Sequence, residues 1–539
     1  MNQEPNVRQE TNIKKHSDIN KGSQIKTNLD LKQKSNYEQE SDGALPDTQP
    51  QTQESYTLAR ADVYIQEHRK QVNPTYRMAY HLMPEVGWMN DPNGFVYYNG
   101  MYHMFYQHYP YAPVWGPMHW GHAVSHDLVT WSHLPVALAP DQSYDSGGCF
   151  SGSAIIQEGK LLLMYTGHVV TGPDKDNDYR QTQNIAASDN GVDFVKSALN
   201  PVIRLDQIPE HTSPKDFRDP KVFERNGVYY CVLGSNDTEG GGLILLYRST
   251  NLQQWSYVNI LAQSDGTLGD NWECPDLFSL GGRDILIMSP QRMPAQMDNY
   301  RNLHSTVYMI GTLDESRGVL EYEQYHPLDY GFDFYAPQTT DDEQGRRIMV
   351  AWMETWETDI PTQQGHHWAG AMTLPREIVL RGERLFFLPV PELEQYRSNE
   401  VEQHDIRLDG TLDLGMEGDR YELFAVFEAD RADQFGLKLR TGEGEETVIS
   451  YQVGQRRLCL NRDHAGAGPG GERAAEVQLH DGRLELRIFV DVSSIEVFIQ
   501  GGEKVMTARI YPGPESTGIT AFSSGECTLT EVRKWDLKV

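Results

Sequence analysis

Ser125-His126-Asp127-Leu128-Val129-Thr130-Trp131 returns further along the chain as Ser249-Thr250-Asn251-Leu252-Gln253-Gln254-Trp255. Between them lies a degenerate copy, Ser188-Asp189-Asn190-Gly191-Val192-Asp193-Phe194. The closing aromatic falls at positions 131, 194 and 255, in two nearly equal steps. A serine-led polar turn with one packing aromatic per period is how a four-stranded β-propeller blade reads in sequence. Chance recurrence of a common turn is the rival reading, and the even spacing counts against it.

The flanking segments agree. Phe95-Val96-Tyr97-Tyr98, then Asn99-Gly100, then Met101 to Gln107 predicts two aromatic strands joined by a tight hairpin turn. Leu161–Tyr165, Val228–Leu233, Leu243–Tyr247, Ile285–Met288 and Ile348–Trp352 read as further strands, and Leu58–Gln71 as a helix ahead of them. Proline punctuation at Leu388-Pro389-Val390-Pro391-Glu392-Leu393 marks a boundary. Beyond it the alternating runs Tyr421–Phe427, Leu484–Asp491, Ser494–Gln500 and Ala508–Tyr511 suggest a β-sandwich, with Ala465–Gly471 as a hairpin excursion. The expected class is all-β: a polar tail over 1–55, a propeller over 56–395 and a C-terminal sandwich over 396–539.

Composition narrows the function. The chain has 539 residues, of which 38% are apolar. Met1–Glu54 has almost nothing to bury and is expected to be disordered. No apolar core follows Met1 and no run approaches a membrane span, so neither a signal peptide nor a membrane contact is expected, and the cytoplasm is the expected location. Five scattered cysteines form no metal-ligand pattern. A net charge of −30 argues against nucleic-acid partners and against anionic membrane surfaces. A phosphorylated ligand would need a local basic cluster; His119, His122 and Arg180 are candidates with equally good structural readings.

Three acidic motifs carry the chemistry: Trp88-Met89-Asn90-Asp91-Pro92-Asn93-Gly94, Phe217-Arg218-Asp219-Pro220 and Trp272-Glu273-Cys274-Pro275-Asp276. The first reads as a rigid turn just before the hairpin, and the others as strand-edge carboxylates beside proline or a large apolar residue. Cleaving a glycosidic bond with retention needs two carboxyl groups roughly 5–5.5 Å apart, one a nucleophile and one an acid. Polar neighbours Asn90 and Asn93 are expected to keep Asp91 ionised, whereas Trp272 and Cys274-Pro275 should surround Glu273 with apolar groups that disfavour its charged form. Arg218-Asp219 supplies a forked donor beside an acceptor, suited to vicinal sugar hydroxyls, or else a structural ion pair. Cys274 reads as a small packing neighbour, since no histidine-bearing partner motif accompanies it.

With these motifs the chain resembles glycoside hydrolase family 32, the invertases and β-fructofuranosidases. Phe105-Tyr106-Gln107, Trp115-Gly116, Trp120-Gly121-His122-Ala123, Phe150-Ser151-Gly152-Ser153-Ala154, Asp333-Phe334-Tyr335-Ala336-Pro337-Gln338 and Trp352-Met353 follow in the family's order. The resemblance implies five blades with the active site in a central funnel, Asp91 as nucleophile, Glu273 as acid/base and Asp219 as transition-state stabiliser. It implies a fructose pocket lined by Asn90, Gln107, Trp115, Phe150, Ser151, Arg218, Tyr335 and Trp352. Val114–His122 and Tyr144–Ser151 resemble bacterial sucrose-6-phosphate hydrolases most, and Pro117 departs from the Asn found in many extracellular members. The expected activity is retaining hydrolysis of a terminal β-D-fructofuranoside, sucrose or sucrose-6-phosphate, with a fructosyltransferase or short-fructan exo-hydrolase as the alternative. An inverting arabinan-type hydrolase and a silent sugar-binding propeller are the rivals; the Trp88–Gly94 motif and the full set of three carboxylates argue against them. No cofactor and no metal are expected, and His366-His367 reads as an exposed pair. The partner is a small sugar, and the sandwich is the candidate surface for a homo-oligomer.

Overall fold

In the computed structural model, which describes residues 56–539, each of the three repeated heptads turns the third strand of a sheet into its fourth. The Ser125, Ser188 and Ser249 hydroxyls accept the N–H of the residue two places on, at 3.1, 3.3 and 3.2 Å. The side-chain oxygens of Asp127, Asn190 and Asn251 then accept the next two free amides. The indoles of Trp131 and Trp255 close the turn on the Leu128 and Leu252 carbonyls. The fourth position is left-handed, with φ of 65° at Leu128 and 62° at Leu252. Gly191 takes the same place at 75° without a Cβ penalty, so the copy that looked degenerate fits the turn best. The tail expected over 1–55 lies outside the described residues.

Five sheets follow. Blade I holds Gly87–Tyr98, Met101–Tyr109, His119–Ser125 and Ser132–Leu138; blade II holds Gly148–Gln157, Lys160–Val170, Tyr179–Ser188 and Val195–Lys196. Blade III holds Thr212–Arg225, Val228–Asp237, Gly242–Ser249 and Ser256–Gln263; blade IV holds Asn271–Leu280, Arg283–Gln291, Val307–Asp314 and Val319–Pro327. Blade V holds Tyr335–Asp341, Arg347–Trp352, Arg376–Arg381 and Arg384–Pro389. Each first strand lies beside the first strands of its neighbours, in a closed ring. The ring is sealed by Trp368–Ala369, from the connection between the second and third strands of blade V, which pairs in parallel with Gly87-Trp88 and adds an edge strand to blade I. Gly370, at φ 91°, is pressed against the Met89 carbonyl where a Cβ would overlap it. Nearer the axis, Lys221 of blade III reaches Asp276 of blade IV (2.9 Å) and the Thr339 carbonyl of blade V (2.8 Å).

Every first strand is bulged. Pairing with the second strand slips between Met89 and Pro92, Phe150 and Gly152, Glu273 and Asp276, and Tyr335 and Gln338. In blade III it slips opposite Arg218–Lys221. Gly94, Asp219, Cys274 and Ala336 sit at left-handed φ of 52°, 62°, 47° and 50°. This corrects the turn reading of Asp91-Pro92-Asn93-Gly94, which lies within strand Gly87–Tyr98. Proline lacks the ladder donor, and a bulge is where a strand tolerates it.

The helix Leu58–His68, continued as a 3₁₀ turn over Arg69–Gln71, is capped by the Thr57 hydroxyl and lies on blade I, where Asp62 accepts the Val136 amide at 2.9 Å. Among the described residues no helix is long and apolar enough to cross a membrane.

The C-terminal region is a two-layer β-sandwich built on one long bent ribbon. Arg397–Glu417 and Gly518–Leu537 pair antiparallel nearly end to end. The first half of Gly518–Leu537 also pairs Gln434–Thr441, and its second half pairs Tyr421–Glu428, so the ribbon serves both layers. Leu423, Phe427, Leu437, Ile449, Leu486, Ile488, Val497 and Leu529 are fully buried between them; each such side chain contributes about 1.5–3 kcal/mol relative to exposure. The strand expected at Ala508–Tyr511 is Lys504–Arg509, and Tyr511 has left the sheet.

Buried charges join sandwich to propeller. Asp333, just before blade V, receives Arg509 Nε at 3.0 Å and Nη2 at 2.8 Å, and Arg462 Nη1 at 2.6 Å. Arg376 of blade V, fully buried, bridges Asp329 (2.9 Å) and Glu496 (2.6 Å). His81 bridges Asp491 (2.8 Å) and Glu496 (3.1 Å). Asp333→Ala leaves the buried Arg462 without a carboxylate partner and Arg509 with Glu354 alone, and is expected to cost about 3–5 kcal/mol, read by chemical denaturation. Burial alone would lower the His81 pKa, but its two carboxylate partners raise it to about 9 from 6.5. Its stabilisation is therefore complete below pH 6.5, declines above that, and is gone once pH has risen through about 9. His81→Gln should flatten that part of the stability–pH curve.

Candidate active site

The five bulged strands each deliver side chains to one site: Asn90 and Asp91 from blade I, Phe150 and Ser151 from II, Arg218 and Asp219 from III, Glu273 and Cys274 from IV, and Tyr335 from V. A regular strand alternates its faces, so consecutive residues cannot point the same way; a bulge relaxes that rule locally.

Asp91 Oδ2 accepts the Ser151 hydroxyl at 2.7 Å, and Oδ1 accepts the Asn90 amide at 3.1 Å. Asn90 is oriented in turn by the Trp88 indole at 2.7 Å. Asp219 Oδ2 accepts the Cys274 N–H at 3.0 Å, while the Asp219 N–H donates to the Thr166 hydroxyl at 3.0 Å. The Cys274 thiol lies 3.5 Å from Oδ2 of both Asp91 and Asp219, a closer engagement than the packing role expected for it. Glu273 Oε1 accepts Arg218 Nε at 3.1 Å and pairs with Nη2 at 3.1 Å, and Oε2 accepts the Tyr335 phenol at 2.6 Å.

The expected surroundings of the carboxylates need revision. Burial raises the Asp91 pKa and outweighs the Ser151 and Asn90 donors that favour its anion. Burial, then the negative charge of Glu273, push Asp219 up to about 7 against the pull of Arg218. Glu273 lies in a polar setting, not an apolar one. Trp272 points to the opposite face, fully buried with its indole on the Leu268 carbonyl, as strand alternation requires. Cys274 is turned towards the two aspartates.

The other expected lining residues divide. Trp115 is 42% exposed and meets Phe150 edge-on at 5.9 Å. Phe150 is stacked on His168, with ring centroids 4.3 Å apart. Gln107 is buried and donates to the Cys149 carbonyl at 3.0 Å, fixing the strand that carries Phe150. Trp352 is fully buried behind Trp88 and Trp356, so it backs the aromatic wall and the half-buried Trp356 is the outer member. Asp216, Tyr179, Gln181, Thr166, His168 and Trp356 were not anticipated. Of these Asp216 had a signal, because residues two apart on a strand share a face and Arg218 is two places on. The candidate phosphate ligands are not assembled: His119 is buried on the Pro117 carbonyl, His122 is buried on His103, and Arg180 is exposed. His366 stacks on Tyr76 and His367 is exposed, while their carbonyls hold Asn73 and Gly87.

Three carboxylates from different blades, bound to a guanidinium, a phenol, a hydroxyl and a thiol at the foot of a propeller, can protonate a departing oxygen and attack an acetal carbon. That is the equipment of a glycosidase. The model of the glycosyl hydrolases family 32 N-terminal domain matches residues 81–389, and that of the family 32 C-terminal domain matches 392–536. The chain is 38% identical over 483 residues to a sucrose-6-phosphate hydrolase of Zymomonas mobilis, covering 85% of this chain and 92% of that one. It is 40% identical over 470 residues to a raffinose invertase of Escherichia coli, covering 86% and 95%. The structure of a Bombyx mori family 32 β-fructofuranosidase variant in complex with sucrose superposes with a TM-score of 0.78 at 35% identity, covering 89% of this chain and 98% of that one. The chain belongs to glycosyl hydrolase family 32, and it is a glycosidase of the β-fructofuranosidase class.

Ser151 generates a prediction. Its hydroxyl favours the Asp91 anion, so Ser151→Ala raises the Asp91 pKa further. The acid limb of kcat/KM then moves to higher pH, with the basic limb in place.

Proposed function

We propose that the protein hydrolyses the terminal β-D-fructofuranosyl bond of sucrose or sucrose-6-phosphate, with retention of configuration, and that Asp91, Glu273 and Asp219 do the chemistry. The observation that carries this reading is the convergence of the three carboxylates from blades I, III and IV, with Glu273 held by Arg218 and Tyr335 and Asp91 by Ser151. Glu273 gives its proton to the departing oxygen as Asp91 attacks the anomeric carbon, forming a fructosyl ester on Asp91. The Glu273 carboxylate then takes a proton from water, the resulting hydroxide displaces Asp91, and fructose leaves. Asp219 grips ring hydroxyls through both steps, and Trp115 and Phe150 offer the apolar face on which a sugar packs. The names of the relatives support sucrose and its 6-phosphate as substrates. A cytoplasmic setting is supported by five cysteines that are all free, as a reducing compartment keeps them.

Proton NMR of the first-formed sugar is expected to show β-fructofuranose; the α anomer would overturn the double displacement. Glu273→Gln should lower kcat by about 10²–10⁴-fold, and Asp91→Asn by more, each with an unchanged circular dichroism spectrum. Near-normal turnover in either variant removes the role assigned here. Side-by-side kcat/KM on sucrose, sucrose-6-phosphate, 1-kestose and inulin is expected to favour the two disaccharides, and faster fructan cleavage would point to an exo-fructanase instead.

A further inference from the structure

Arg218 stands between two carboxylates. Its Nε and Nη2 face Glu273 Oε1, each at 3.1 Å, while Nη1 donates to Asp216 Oδ1 at 2.8 Å. Asp216 is built into its place: Oδ1 also accepts the Tyr179 phenol at 2.7 Å, and Oδ2 accepts the Ser213 hydroxyl and the Asn236 amide at 3.3 and 3.4 Å. Gln181 completes the cradle by accepting Arg218 Nη1 at 3.3 Å. The side chains of Asp216 and Arg218 are 17% and 12% exposed, so solvent screens this pair weakly.

We infer that Asp216 is a positioning and charge-balancing residue for the acid/base step: it shares the Arg218 guanidinium with Glu273, so that Arg218 aims the glutamate without trapping it as an anion. The inference rests on the assignment of Glu273 as acid/base. A guanidinium whose charge faced Glu273 alone would hold the carboxylate and resist the protonated state that must donate to the leaving group. With Asp216 in place the positive charge is divided. Burial works to raise the Asp216 carboxyl, but the Arg218 charge outweighs it and lowers it to about 2, so this counter-charge is present across the working range.

The other groups facing Glu273 stay fixed in the comparison. Tyr335 donates to it from blade V, Asp91 and Asp219 repel it from blades I and III, and Tyr179, His304 and Arg292 contribute at longer range. The Cys274 thiol, raised well above its ordinary range by burial, is neutral.

The test is the pH profile of kcat/KM on sucrose for the wild type, Asp216→Asn and Asp216→Ser, with folding checked by circular dichroism. Asparagine keeps the shape and an acceptor for Arg218 and removes the charge. The basic limb, which reports the proton on the acid, is expected to move to lower pH by about 1 unit in both variants, and the acid limb to stay. Tyr179→Phe, which removes a donor but no charge, should leave the basic limb in place. An unmoved basic limb in the folded Asp216 variants, whatever happens to kcat, overturns the inference and leaves Asp216 as an anchor of the Ser213 turn. The assignment of Glu273 fails separately, through near-normal turnover of Glu273→Gln, so the two failures are distinguishable.

Discussion

A strand shows one face to a cavity at every second residue, and that constraint governs this molecule. Five first strands ring the axis, and an unbroken ladder in each would offer too few side chains, at fixed spacing, to build a catalytic floor. The bulges in all five strands lift the constraint. Asp219, Cys274 and Ala336 accept left-handed backbone to make them, a conformation that costs a non-glycine residue of order 1 kcal/mol or more. The surrounding blades hold that strain in place: Lys221 joins three of them, and Gln338 of blade V donates to the Gly152 carbonyl of blade II at 2.6 Å.

The floor that results is an electrostatic compromise. Three carboxylates out of bulk water repel one another, and burial penalises each charge. One guanidinium, one phenol, one hydroxyl and one thiol are distributed among them; Asp91 and Asp219 share the thiol, and the other partners differ. Asp91 is served by neutral donors, Glu273 by Arg218 and Tyr335, and Asp219 by a backbone amide and the thiol. The three carboxylates therefore sit in three different electrostatic settings.

The sandwich takes part in holding the floor. Its arginines enter the propeller side: Arg462 and Arg509 on Asp333, two residues before Tyr335, Arg473 on Asn302 at 3.0 and 2.8 Å, and Arg457 on Asp298 at 2.8 and 2.9 Å. Blade V therefore starts from a buried ion cluster shared with the second domain, and the phenol on Glu273 is placed from there.

Much of this was legible in the chain. The Ser-x-Asp/Asn heptads mark the propeller because their turn is local: the hydrogen bonds that close it span two or three residues, so the residue types specify it. Asn99-Gly100 specifies its hairpin for the same reason, with φ of 51° and 80°. The acidic motifs and the family they resemble were also written in order along the sequence. What the sequence left open depends on contacts between residues far apart in it. Whether Asp91-Pro92-Asn93-Gly94 is a turn or a bulged strand is decided by its pairing with Met101–Tyr109 and by the neighbouring blades. The company Glu273 keeps is decided by Arg218 and Tyr335, 55 and 62 positions away, and not by the Trp272 and Cys274 beside it. Trp352 falls behind the wall because Trp88 and Trp356 occupy the space in front. Local hydrogen bonding made the turns of blades I, II and III legible in the sequence, whereas the charge, exposure and direction of each site residue belong to the closed ring, since only its closure brings the five strands together.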